Sequence, residues 1–232
     1  MKCLAVQLPA FCPLTCKGCR TIELNRKGHV PGNIDEIKHH LDKLKKDDSL
    51  FISSTGEPGF TDGYEDLVGE LVNRGVEVAV CCANKRSIMK HFIRAEISRS
   101  EEQDKTSPKA IERARELGIP YVATVVNYGK YDDVNPEKLA EELDSPSAII
   151  IRQAQREGDA KRFLDSAHKK ETQIWQRNGV YLGKVFPIPC FREFRSYRDK
   201  TDVTCINHMG DEVQWLGDSA GGNEELVQIN KP

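Results

Sequence analysis

The chain has 232 residues, 38% hydrophobic and 30% charged, with a formal net charge of −2. That balance describes a soluble globular protein of one large domain, or one domain with a small appendage. No apolar run approaches the roughly 20 residues of a membrane helix, no signal-peptide cleavage pattern follows the start, and the near-neutral charge gives no global pull toward nucleic acid or anionic membrane. A cytoplasmic protein without a membrane or nucleic-acid partner is expected.

The first element, LAVQLP (4–9), reads as a strand. Directly after it comes FCPLTCKGCR (11–20), which places Cys12, Cys16 and Cys19 on one short loop. Clustered thiols in a cytoplasmic chain point to metal or redox chemistry rather than to a disulfide framework. A structural zinc site wants four protein ligands, commonly as two C-x2-C pairs. Here Cys16 and Cys19 make one such pair, and Cys3, Cys81, Cys82, Cys190 and Cys205 make no second. A cubane [4Fe–4S] cluster normally takes four thiolates. Three on one loop leave one iron open to a substrate or cofactor.

Further along, Ile34, Ile37, Leu41 and Leu44 stand at helical spacing, with Asn33 as cap and Glu36 as its capping-box partner. Residues 49–56 read as a buried strand, 64–75 as a helix closed by Gly75, 76–84 as a strand, and 91–100 as an alternating strand. A helix follows at 107–118, capped by Ser107, with Pro108 in its first turn and Gly118 at its stop. Then come a strand at 119–129, a helix at 135–143, a strand at 147–155 and a long polar helix over 160–178. A hairpin is expected around HMGDE (208–212). About six strands alternating with helices argue for a parallel sheet. Periodicity alone leaves open whether it is a barrel or a doubly wound open sheet. Either way, active groups collect at the strand C-terminal ends.

The end of the second strand carries STGEPGF (54–60). Taken alone this is a turn with a solvated glutamate. Together, C-x3-C-x2-C after the first strand and this segment after the second resemble the radical S-adenosylmethionine (SAM) superfamily over roughly residues 4–189. Two positions depart from its usual pattern: Gly18 stands where an aromatic residue often precedes the third cysteine, and Thr55 replaces the first glycine of a G-G-E-P-like segment.

The resemblance implies an α/β fold: a partial (β/α)6 TIM-type barrel at 1–189, with a short C-terminal extension (190–232) covering the barrel mouth. It implies that Cys12, Cys16 and Cys19 hold three irons of a [4Fe–4S] cluster and that SAM chelates the fourth. Thr55, Gly56, Glu57 and Pro58 would bind the SAM amino group, a carboxylate being suited to an ammonium. Ser98 would lie near the SAM ribose, with Glu96 as the alternative, and Asn127 would contact SAM. Arg152 would meet the SAM carboxylate or, equally, an internal glutamate. VFPIP (185–189) would touch adenine. Reduction of the cluster would cleave SAM to methionine and a 5′-deoxyadenosyl radical, which abstracts hydrogen from the substrate. A flavodoxin or ferredoxin would supply the electron, and the protein would be brown and oxygen-sensitive.

Within that superfamily the short chain suits an enzyme that rearranges, epimerises or dehydrogenates a small molecule. Alternatives are an activase acting on a partner glycyl-radical enzyme, although the pair of residues often following its last cysteine is absent, and a deazapurine synthase of the queuosine pathway, on the strength of Thr21 as a magnesium-serving residue. A non-enzymatic zinc-stabilised module is the reading from another class; it predicts a closed four-ligand site and no need for Glu57. Cys190 and Cys205 could donate hydrogen to a product radical, join Cys81 or Cys82 at a second cluster, or be ordinary thiols. FREFRSYRDK (191–200) would bind an anionic substrate or form a solvated face. His39 and His40 are expected to face solvent.

Overall fold

Short apolar runs separated by capped amphipathic segments become strands and helices almost in the order expected. The computed structural model describes residues 2–14, 33–99, 106–127, 136–153, 172–176, 183–185, 203–207 and 209–213. The elements are β1 (Cys3–Leu8), α1 (Asp35–Leu41), β2 (Ser49–Ser54), α2 (Tyr64–Asn73), β3 (Glu77–Cys82), β4 (Arg94–Arg99), α3 (Ser107–Glu116), β5 (Tyr121–Asn127), α4 (Pro136–Glu142), β6 (Ala148–Gln153), β7 (Thr172–Gln176), β8 (Gly183–Val185), β9 (Val203–Ile206) and β10 (Glu212–Val213). Two 3-10 turns, Pro58–Phe60 and Lys85–Ser87, follow β2 and β3.

Strands β1 to β6 lie side by side in chain order, each parallel to the next. A doubly wound sheet reverses its strand order part-way; this one does not, which removes that alternative. Right-handed crossovers in a sheet wound one way put every helix on the same face. The core agrees. Leu4, Val6 and Leu8 of β1, Leu50 and Ile52 of β2, Val78 and Val80 of β3, and Ala95 and Ile97 of β4 are buried against Ile37 and Leu41 of α1, Val68 and Leu71 of α2, and Ala110, Ile111 and Ala114 of α3. Ala123 and Val125 of β5 continue that face against Leu139 and Ala140 of α4. The crossover from β3 to β4 is too short for a helix, and Ile88 and Phe92 close the core there instead.

Three sequence expectations change. Residues 172–176 form β7, antiparallel to β6, where a helix over 160–178 was expected. TQIWQ carries β-branched Thr172 and Ile174 and aromatic Trp175, residue types that favour strands, and β8 pairs on the far side of β7. His40 does not face solvent: it is half-buried, with its ring Nε2 3.1 Å from the Gly210 carbonyl oxygen and its ring against His39. The helix cap at residue 33 is an Asx turn, in which Asn33 Oδ1 accepts from the Asp35 N–H, rather than a box with Glu36.

Of the extension beyond residue 189, β9 adds to the free side of β1 in parallel, and β10 folds back on β9 as the expected hairpin. Ile206 reaches the main core. Gly210, at φ +82°, lies where a Cβ would meet the Glu36 carbonyl oxygen, so the hairpin sits directly on α1. Covering of a barrel mouth by this extension falls outside the described residues.

Gly69, in the middle of α2, has open space where a Cβ would go. Gly69→Ala is expected to raise stability by about 0.8 kcal/mol, through helix propensity alone. Urea unfolding checks this, and a loss of stability would contradict the placement of α2.

Candidate functional site

Because β1 to β6 run parallel, Leu8, Ser54, Cys82, Arg99, Asn127 and Gln153 all end at one edge of the sheet. The motif residues singled out in the sequence leave from that edge. Cys12 lies just beyond β1; it is partly exposed and in no disulfide. Cys16, Cys19, Thr21 and Cys190 lie outside the described residues, as do most of VFPIP and all of FREFRSYRDK.

The segment after β2 binds the chain that leads into Cys12. Thr55 donates its N–H to the Leu8 carbonyl at 2.9 Å. Its buried hydroxyl accepts from the Ala10 N–H at 3.0 Å and donates to the Ala10 carbonyl at 3.2 Å. Glu57 donates its N–H to the Phe11 carbonyl, and the Thr61 hydroxyl donates to the Pro9 carbonyl at 2.9 Å. Gly56 lies so close that a Cβ there would stand 2.5 Å from the Ala10 oxygen and 2.7 Å from the Phe11 carbonyl carbon. The threonine that departs from the family pattern therefore has a task that glycine could not perform.

Glu57 faces the other way, into the turn after β3. Its carboxylate accepts from the Ala83 N–H on both oxygens at 3.0 Å, from the Asn84 N–H at 3.1 Å and from the Ser87 hydroxyl at 2.7 Å. Those bonds take up most of a carboxylate's acceptor capacity. Ser87 is fully buried and in turn accepts from the Gly59 N–H, while its carbonyl accepts from the Tyr64 hydroxyl. Burial pushes the Glu57 carboxyl up to about 7, against the hydrogen bonds from Ser87, Ala83 and Asn84 that hold it down. This side chain is scaffold in this structure, joining the loop of the first cysteine to the turn after β3. The expected reading gave the same carboxylate to a ligand ammonium, and Ser87 was missed; a serine five residues past a buried strand gave no signal.

The face of the sheet away from the helices is the more polar one. Register places Ser53, Cys81, Glu96, Ser98 and Thr124 on alternate positions opposite the core set. Glu96 is 3% exposed, and its Oε1 accepts from the Thr124 hydroxyl at 2.6 Å. Ser98 is half-buried, and its carbonyl accepts from the Ser107 hydroxyl at the start of α3. Asn127 ends β5, and Arg152, opposite Val126, is the penultimate residue of β6. Cys205 on β9 is opposite Ala5, in mid-strand. Cys82 belongs to the helix-side core, where burial pushes its thiol well above the usual range. Among the described residues, none of the helices is long and apolar enough to cross a membrane.

The chain matches no protein-family model and no curated protein. Among solved structures it resembles one described as TYW1 with a lysine-pyruvate adduct bound, at 13% identity and a TM-score of 0.39. The match covers 67% of this chain and 66% of the TYW1 chain.

Proposed function

We propose that the protein is a radical SAM enzyme acting on a small molecule in the cytoplasm, built as a partial (β/α)6 barrel. One observation carries the reading. The loop with C-x3-C-x2-C leaves the C-terminal end of the first strand of a sheet wound one way, and the STGEPGF segment after the second strand is hydrogen-bonded to its base. The residues fit the implied groups: Cys12 is a partly exposed thiol, the donor set is three closely spaced thiols, and Gly56 leaves the loop base room that a Cβ would fill.

Cys12, Cys16 and Cys19 would hold a [4Fe–4S] cluster, and the segment Thr55, Gly56, Glu57 and Pro58 would take the amino end of SAM, Glu57 through Oε2, which accepts only from the Ala83 N–H among the described residues while Oε1 carries the scaffold bonds; Ser98, Asn127 and Arg152 lie along the same edge. The bound pair supplies reductive SAM cleavage and, with it, hydrogen abstraction. The chain's own part is placement and exclusion of water. Thr55 and Gly56 fix where the cysteine loop starts, and Glu57 fixes Thr55 and Gly56 against the turn after β3. Glu96 and Thr124 form a buried hydrogen-bonded pair on the helix-free face, the side on which a substrate would lie. Cys190 and Cys205 remain proposed hydrogen donors. Activase and deazapurine-synthase chemistry are the other reactions that the same centre would serve.

The test is SAM cleavage under anaerobic conditions after iron–sulfide reconstitution and reduction. Formation of 5′-deoxyadenosine that falls at least a hundredfold in Cys16→Ala is the expected result. A colourless protein holding tightly bound zinc in place of iron would overturn the reading.

A further inference from the structure

We propose that Phe11, Phe60 and Arg86, with Lys85 of the same turn, form the docking surface for an acidic protein that delivers single electrons; the inference rests on the iron–sulfur reading above. Phe11 immediately precedes Cys12 and leaves 59% of its surface in solvent, an unusual place for a large apolar ring. Its ring meets Phe60 edge-on, with centroids 6.5 Å apart at 70°. The Arg86 guanidinium lies over the Phe60 ring, 4.9 Å from its centroid, a cation–π contact.

The cluster is held in place before any partner arrives. A Cβ on Gly59 would stand 2.6 Å from the Arg86 carbonyl carbon, so the two 3-10 turns are in backbone contact. The Asn84 side chain accepts from the Arg86 N–H at 3.0 Å, and Ser87 ties the same turn to Glu57 and Gly59. Rigid aromatic and arginine side chains are the types that anchor protein interfaces. From 83 to 93 the charged side chains are Lys85, Arg86 and Lys90, all exposed, with no carboxylate among them. The nearest acid to Phe60 in the chain is Asp62. Such a surface fits an acidic partner, and its position beside the first cysteine fits one that passes electrons. The partner is oxidised by one electron and the iron–sulfur group is reduced by one; no bond of this chain forms or breaks.

The experiment uses a reduced flavodoxin as the acidic donor and dithionite as the small one. In stopped flow at low salt, Arg86→Glu and Lys85→Glu are each expected to slow bleaching by flavodoxin about tenfold or more, as loss of electrostatic steering does. Their bleaching by dithionite should match wild type, which also shows that the cluster and fold are intact. Binding of labelled flavodoxin to the iron-free protein should weaken in parallel, and the difference should vanish at high salt. Equal flavodoxin rates in wild type and both variants would overturn the docking surface while leaving the cluster standing. Tighter binding of an oligonucleotide than of flavodoxin would overturn it in favour of a nucleic-acid partner. No bleaching of wild type by dithionite would sink the iron–sulfur reading, and the surface with it.

Discussion

Replacing Gly56 with alanine is expected to lower stability by about 3 kcal/mol, near the upper end of overpacking costs, and to abolish iron retention after reconstitution. The new Cβ would stand 2.5 Å from the Ala10 oxygen and 2.7 Å from both the carbon and the oxygen of the Phe11 carbonyl. These are backbone atoms, so no side-chain rotation relieves the clash. The strand end must separate from the loop, losing the Thr55–Ala10 pair and displacing Cys12. Gly63→Ala is the control. Gly63 has φ +71° with nothing within reach of a Cβ, so alanine there costs only the left-handed backbone penalty, about 1 kcal/mol. Urea unfolding of the iron-free proteins and iron analysis of the reconstituted ones read the two effects. A Gly56→Ala protein as stable as Gly63→Ala would show that the two segments do not touch.

Glu57 gives the second large effect, and it depends on pH. Glu57→Ala leaves the Ala83 and Asn84 N–H groups and the Ser87 hydroxyl without their acceptor. At about 1–3 kcal/mol for an unsatisfied buried group, a total loss of about 4 kcal/mol is expected. In the intact protein the folded carboxyl is raised from 4.5 to about 7. Between those values the folded chain binds more protons than the unfolded chain. Stability is therefore greatest below 4.5, falls as pH rises, and levels off above about 7. At about 1.36 kcal/mol per unit, the fall amounts to about 3 kcal/mol. Glu57→Gln should lack it. His40, held below its ordinary value by burial, acts in the opposite sense, but it is common to both proteins and cancels. Unfolding free energies at pH 5 and pH 8 for wild type and Glu57→Gln settle the matter: parallel changes would remove Glu57 as the source.

What sequence reading could reach here follows the range of the interactions. Strands β1 to β6 were legible because short runs rich in apolar residues, such as LAV and AIII, stand between turn and helix signals. Strand order was not, because it depends on which edges meet in space. Residues 172–176 were misread because a short strand rich in polar residues leaves the same trace as a polar helix. The two site segments were found by their glycine, proline and cysteine spacing. Their connection to each other was hidden, since Thr55 to Ala10 and Glu57 to Ser87 are contacts across 45 and 30 residues. A turn glutamate reads as solvated until the strand end it is buried against is known.

The pairing of β9 with β1 has a consequence for how the chain is made. Strand β1 is made well before β9, which pairs along its other side with residues 203–206. Bringing those two strands together means closing the long loop from Cys3 to Val203, although its entropic cost grows only with the logarithm of length. On the ribosome, β1 can join β2 early, while its other edge keeps unpaired N–H and C=O groups until β9 emerges. The cysteine loop extends from that same strand. The base of the cysteine loop would therefore become firm only once β9 has emerged, and a chain halted before residue 203 would present an adhesive edge beside Cys12.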